Sequence, residues 1–245
     1  MKKVAIVQAR LGSTRLPSKV LMPLMDKTVL EHVVDRLRQV PLIDEIVIAT
    51  TIKASDDAII TEAERIGVAW YRGSEDHVLS RYYEAAKQYK ADIVIRITSD
   101  CPVIDPEITN ETIRFFLERK VDYASNTIER TFPRGLDTEV FTMEGLEVAY
   151  NEAHIADQYE HVTPYFYQNP NRFKLAYYTG ESDYSHYRWT LDTEEDYCHL
   201  KEIYNHLYTS GHIFHWSEAV KLMEQYPALV DINKHIEQKK LNPLI

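Results

Sequence analysis

The sequence predicts an α/β protein with a largely parallel central sheet covered by helices on both faces. Short apolar, β-rich runs recur at residues 2–9, 44–51 and 92–98. Segments with helical spacing separate them, at 29–40, 56–66 and 78–89. The runs are apolar throughout rather than alternating, as strands buried on both faces are. A chain of 245 residues can bury one substantial core. No Gly/Ser linker, repeat or low-complexity tract divides it. We therefore expect one domain over residues 1–245, with a substrate-side lobe at about residues 121–180.

Each element has its own signal. Val4-Ala5-Ile6-Val7 follows two lysines and superficially looks like a signal peptide, but the apolar stretch is too short and Gln8 and Arg10 interrupt it. It reads as a buried strand. Ser55 is placed to cap the helix at 56–66, and Gly67 to end it. Asp105-Pro106-Glu107 opens a helix running to about Lys120. The second half reads as strands at 121–125, 138–141 and 173–179, with helices at 143–152, 157–167, 193–208 and 217–225.

Composition narrows the function. With 44% hydrophobic and 27% charged residues the chain is an ordinary soluble globular protein, and no apolar run approaches the roughly 20 residues a membrane helix needs. A net charge of −10 argues against general nucleic-acid binding. Cys101 and Cys198 form neither a disulfide framework nor metal-ligand spacing, which suits a reducing cytoplasm. Yet Lys2, Lys3, Arg10, Arg15 and Lys19 all precede the first acid, Asp26. That asymmetry points to a local anion site.

The anion site is assigned to Gln8-Ala9-Arg10-Leu11-Gly12-Ser13-Thr14-Arg15-Leu16-Pro17-Ser18-Lys19, which follows the first strand. Ligands bind at that end of an open α/β sheet. Gly12 lets backbone amides approach a phosphate, Ser13 and Thr14 add hydroxyls, and Arg10, Arg15 and Lys19 add cations. At roughly 1.5–3 kcal/mol per charge-assisted hydrogen bond the loop suffices for a triphosphate. It is neither a Walker loop nor a dinucleotide fingerprint. A second candidate is Asp100 in Thr98-Ser99-Asp100-Cys101-Pro102, a carboxylate at a strand end suited to a hard cation. On its own, Leu191-Asp192-Thr193-Glu194-Glu195-Asp196 reads as a helix N-cap with acids in the first turn.

The run R-x-G-S-x-R-L-P-x-K resembles the signature of the cytidylyltransferase superfamily, whose members activate sugar acids with CTP. Arg72-Gly73-Ser74-Glu75-Asp76-His77 through Arg81 resembles its SpsF-like group, associated with spore coat polysaccharide biosynthesis. The resemblance implies a Rossmann-like, three-layer α/β/α, nucleotide-diphospho-sugar-transferase-like fold with a mostly parallel mixed sheet. It places Ala9, Leu11, Gly12 and Ser13 on the nucleotide, Mg²⁺ on Asp100 and Asp192, and Gly73, Ser74 and Arg81 near base and ribose. Asp137, Glu139 and His161, from Arg134–Glu139 and Glu160–Pro164, fall where an acceptor sugar or sugar acid is read. Ser99 replaces the usual Gly. A shared cation also makes electrostatic sense, since two carboxylates about 4 Å apart repel by roughly 4 kcal/mol at an effective dielectric of about 20.

The implied reaction is in-line attack of a sugar on the α-phosphorus of CTP with release of pyrophosphate, in a cytoplasmic homodimer. Arg10, Arg15, Lys19 and Asp100 would carry catalysis, and no protein nucleophile is needed. A glycosyltransferase is the alternative, but that class usually carries D-x-D where this chain reads Ser99-Asp100-Cys101. A nucleotide-binding subunit without catalysis is the third reading.

Overall fold

Along the first strand Val4 and Ile6 pack to one side and Ala5 and Val7 to the other, all fully buried. A strand apolar on both faces has to lie between two layers. In the computed structural model, which describes residues 1–238, it does. β1 (Lys3–Gln8) is followed by a small hairpin, β2 (Pro23–Leu24) and β3 (Lys27–Thr28), then α1 (Val29–Leu37), β4 (Glu45–Thr51), α2 (Asp57–Arg65), β5 (Ala69–Gly73), α3 (Val78–Gln88), β6 (Ile93–Thr98) and α4 (Pro106–Arg119). The second half adds β7 (Tyr123–Ser125), β8 (Glu139–Thr142), α5 (Met143–Glu152), α6 (Ala156–His161), α7 (Pro164–Gln168), β9 (Leu175–Tyr177), α8 (Glu194–Leu207), α9 (Trp216–Gln225) and α10 (Ala228–Asp231).

The seven-stranded sheet has the order β5-β4-β1-β6-β8-β7-β9, and β8 alone runs against the others. One face packs on α1, α2 and α4 through residues such as Leu30, Val34, Ile59 and Phe116. The opposite face packs on α3, α5 and α7 through Leu79, Tyr82, Leu146 and Phe166. This is the expected three-layer arrangement. A third cluster, built around Trp189, Leu191, Leu200 and Ile203, ties α8 and α9 to Leu16 and Val103 near the ends of β1 and β6.

Four local readings change. β5 has no counterpart in the expected elements: it is an edge strand whose five residues are all half-buried, so it lacks an apolar run. Residues 121–180 supply β7, β8 and β9 to the same central sheet. The helix expected at 157–167 is two helices, α6 and α7. Between them Val162 adopts φ 71° and ψ −55°, and Thr163 N–H donates to His161 C=O at 2.8 Å. That is a γ-turn of the rare, strained kind, and Pro164 cannot donate the bond that would carry the helix through. Finally, Ser55 lies inside a 3₁₀ turn, Ala54–Asp56, rather than capping α2.

Candidate active site

Gln8 and Thr98 are partners in the parallel β1–β6 register, so the chains leaving these strands start side by side. The loop after β1 folds back on itself: Ser13 N–H and Ser18 N–H both donate to Leu11 C=O, at 2.8 and 3.2 Å. Leu11 N–H donates to Asp56 Oδ1 at 2.9 Å, so Asp56 anchors the loop instead of capping a helix. Leu16 and Val20 are buried, which turns Arg15 and Lys19 toward the strand ends.

A third segment, from Tyr187 to Leu191, is brought in by backbone pairing. Arg134 N–H donates to Tyr187 C=O at 3.0 Å, Trp189 N–H to Arg134 C=O at 2.7 Å, and Leu191 N–H to Asp100 C=O at 2.8 Å. Gly135 permits this approach: its φ is +109°, and a Cβ there would lie 2.6 Å from the Trp189 carbonyl oxygen. Thr193 then caps α8 in a capping box with Asp196. The cap is Thr193, so Asp192 stands just outside the helix with its carboxylate in the site.

The three segments meet at the Lys19 ammonium. Lys19 Nζ donates to Asp100 Oδ2, Asp192 Oδ1 and Leu191 C=O, each at 2.7 Å. Arg15 and Arg188 each bond Asp192 Oδ2 at 3.0 Å. Arg188 also grips Asp196 at 2.8 and 2.9 Å. Burial pulls the Lys19 pKa down, but Asp100 and Asp192 outweigh it and hold the ammonium above the ordinary lysine value. Burial likewise raises Asp100, and Lys19 outweighs that to hold its carboxyl below the usual range.

These groups line a cleft of about 280 Å³ that also includes Ala9, Arg10, Gly12, Ser13, Arg81 and His161. Its wall carries four cations (Arg10, Arg15, Lys19, Arg81) against three carboxylates (Asp100, Glu160, Asp192), a surplus of one positive charge on a protein of net charge −10. A larger cavity of about 680 Å³ shares no residue with it and has no such convergence of charge at the strand ends.

Arg81 is buried at the start of α3. It gives one hydrogen bond to Ser74 C=O at 2.8 Å, its Nε is unpaired, and no carboxylate among the described residues pairs with it. Burial lowers its pKa. Gly73 makes room for it, since a Cβ there would stand 3.0 Å from Arg81 Cγ. Gly73 and Ser74 therefore position Arg81 and do not themselves line the cleft.

Other sequence expectations are redirected. Gly12 is on the cleft wall, but it needs no left-handed backbone, and a Cβ there would meet only Glu75 at 3.4 Å. Leu11 packs against the core, with its amide and carbonyl used inside the loop and by Asp56. Asp137 is held by Arg130 in a two-point ion pair at 2.5 and 3.0 Å. Glu139 is buried with Arg96, Tyr123 and Thr163. Neither residue lines the cleft. Asp105 caps α4 where the Asp105-Pro106-Glu107 run predicts it, accepting from Glu107 and Ile108 N–H. Arg188 was missed, and Gln8 and Glu160 stand at the edges of the candidate runs with no role assigned to them from sequence. Arg188 stands four residues before Asp192 with no pattern to mark it, and only the fold shows that it clamps Asp192 to Asp196. Burial pushes the Cys101 thiol well above its ordinary value, in keeping with a site that uses no protein nucleophile.

The donor set suits a divalent cation. Two carboxylates and a carbonyl oxygen converge on one point, all hard oxygen ligands of the kind Mg²⁺ and Mn²⁺ take. The residues fit such an ion at the point the Lys19 ammonium holds in this structure.

Comparison with known proteins agrees with this geometry. The chain is 37% identical over 242 residues to an uncharacterized protein of Methanocaldococcus jannaschii, covering 98% of this chain and 97% of that one. It is 35% identical over 206 residues to the spore coat polysaccharide biosynthesis protein SpsF of Bacillus subtilis, covering 81% and 85%. The structure superposes on a cytidylyltransferase from Leptospira borgpetersenii with TM-score 0.90 and 34% identity, covering 98% and 100%. It shares its fold, at TM-score 0.65 and 18% identity over 84% of this chain and 99% of the other, with CMP:2-keto-3-deoxy-manno-octonic acid synthetase complexed with CTP. The cytidylyltransferase family model matches residues 4–240, and the chain belongs to that family of nucleotidyltransferases.

Proposed function

We propose that the protein transfers a cytidylyl group from CTP to a sugar acid, with Mg²⁺ as cofactor, and releases pyrophosphate. One observation carries the reading: Arg15, Lys19, Asp100 and Asp192, from three distant segments, meet at the strand ends of a parallel sheet. The CTP-bound synthetase of the same fold and the SpsF relative support the choice of nucleotide and acceptor class. Arg10, Arg15 and Lys19 bind the triphosphate with the backbone of Ala9, Gly12 and Ser13. Asp100 and Asp192 hold the cation, which would neutralise charge on the transferring and leaving groups. Arg188 keeps Asp192 in place by gripping it from behind. Arg81 offers a buried donor to the nucleoside, and His161 faces the acceptor from the α6 side. Lys19 moves from its carboxylates to the phosphates as the nucleotide enters, so triphosphate and cation assemble together. Catalysis by positioning and electrostatics needs no covalent intermediate.

The protein acts as a single nucleotidyltransferase unit, a homodimer in the cytoplasm serving surface polysaccharide synthesis. Among the described residues no helix is long and apolar enough to cross a membrane. The test is pyrophosphate release from CTP, UTP, GTP or ATP with a panel of free sugar acids, with and without Mg²⁺. CTP-selective, Mg²⁺-dependent release that is lost in Asp100→Ala while the fold persists is the expected result. Undiminished Asp100→Ala turnover, or no pyrophosphate from any triphosphate together with release of a nucleoside phosphate from a nucleotide-sugar, refutes it.

A further inference from the structure

Beneath the cleft floor lies a buried ion pair that the phosphate end does not use. Arg96 and Glu139 face each other in the antiparallel β6–β8 register and form an ion pair with side chains 14% and 8% exposed. Glu139 Oε1 also accepts from Tyr123 Oη and Thr163 Oγ1, both at 2.6 Å. Its oxygens are committed, so it acts on the cleft only through its partners. There are two. Arg96 Nη2 donates to Gln8 Oε1 at 3.3 Å. A guanidinium has donors and no acceptor, so the Gln8 amide has to turn its oxygen toward Arg96. Its NH₂ group is what remains for the cleft, which Gln8 lines beside Val78, Arg81 and His161. On the other side, Thr163 hangs the strained Val162 turn on Glu139, and that turn carries Glu160 and His161 to the cleft wall. Strained turns persist only where surrounding contacts hold them.

We propose that Gln8 contacts the substrate, its amide NH₂ donating to an uncharged acceptor oxygen, and that the Arg96–Glu139 pair is a positioning node fixing both this amide and the His161 turn. The proposal rests on the cleft being the nucleotide site. The phosphates have Arg10, Arg15 and Lys19; a neutral donor on the α3 side suits a carbonyl of the base or a hydroxyl of the acceptor. The same chemistry thus has two sources, which the assay separates.

The test uses Gln8→Met, which deletes the donor, and Gln8→Glu, which keeps a partner for Arg96 but presents an acceptor. CTP and inorganic tripolyphosphate are titrated into each by calorimetry, with melting curves as a fold control. A rise of about tenfold or more in Kd for CTP in both variants, with tripolyphosphate unchanged, assigns the contact to the nucleoside. Unchanged CTP binding with a similar rise in KM for the sugar acid that supports pyrophosphate release, at nearly constant kcat, assigns it to the acceptor. No change in either, or equal weakening of CTP and tripolyphosphate, overturns the proposal. Wild-type protein that binds neither probe refutes the nucleotide reading itself. For the node, Arg96→Lys keeps the charge beside Glu139 but loses the planar fork. It should reproduce much of the Gln8→Met effect, and the double variant should be far from additive; additive losses refute the positioning role. Thr163→Val should lower kcat, with rescue by Thr163→Ser, and equal activity of the two refutes the link to the turn.

Discussion

Lys19→Ala is the perturbation that most directly interrogates the site. The ammonium is 2.7 Å from an oxygen of Asp100 and of Asp192, so those oxygens are at most about twice that distance apart. Their repulsion at that separation is about 3 kcal/mol at an effective dielectric of about 20. Removing one partner of a buried ion pair costs roughly 3–5 kcal/mol. Arg15 and Arg188 remain on Asp192, which reduces the loss to about 2–4 kcal/mol, and at roughly 2–4 °C per kcal/mol for a domain of this size the melting temperature should fall by about 4–16 °C. The same change should strengthen metal binding in the absence of nucleotide. In the wild type a divalent cation has to displace an ammonium; in the variant it meets two uncompensated carboxylates. A difference of about 3 kcal/mol corresponds to roughly 100-fold in affinity. Calorimetric titration of Mn²⁺ and Mg²⁺ without nucleotide measures this directly, and the metal should restore more of the variant's melting temperature than of the wild type's. Equal metal affinity in the two proteins refutes the exchange of ammonium for cation. With CTP present the order should reverse, because the variant lacks a phosphate ligand.

Three further outcomes follow from the structure. Gly135→Ala places a methyl group against the Trp189 carbonyl at a φ of +109°; backbone strain alone costs about 1–3 kcal/mol, so thermal denaturation should show a clear loss of stability, with weaker Mn²⁺ binding as Asp192 shifts, and an unchanged melting curve contradicts the packing. Asp105→Ala removes a carboxylate that caps α4 and accepts from Trp216 N–H at 2.8 Å, for an expected loss of about 1–3 kcal/mol by chemical denaturation; a loss no greater than that of an exposed Asp→Ala control refutes the double role. His199 is buried, and burial lowers its pKa from 6.5 to about 4. The unfolded chain therefore takes up a proton that the folded chain refuses, so stability is full above about pH 6.5 and declines toward pH 4, by about 3 kcal/mol in all. His199→Gln should flatten that limb, and identical pH slopes in the two proteins remove the assignment.

The central elements are legible in the sequence because their physics is local. Runs apolar on both faces at β1, β4 and β6 can only be interior parallel strands, and the helices between them carry their own periodicity and caps. The cationic loop, and Asp100 at a strand end, are likewise visible because consecutive residues place them together. What the sequence left open needed neighbours distant in the chain. Edge strand β5 has no buried face to mark it. The break between α6 and α7 sits at Val162, a residue type that disfavours positive φ and is held there by Thr163 and Glu139. Asp192 and Asp196 carry the same side chain four residues apart; the structure separates them by the capping box on Asp196 and the Lys19 contact on Asp192. Glu139 and Asp137 look like sugar-binding acids in a string of letters, and tertiary pairing with Arg96 and Arg130 commits them elsewhere. Local sequence thus determined the interior strands, most helices and the charged loop, since backbone preference and periodicity act over a few residues. The tertiary structure decided which charges meet, because an ion pair depends on separation in space, and the chain's own spacing does not encode it.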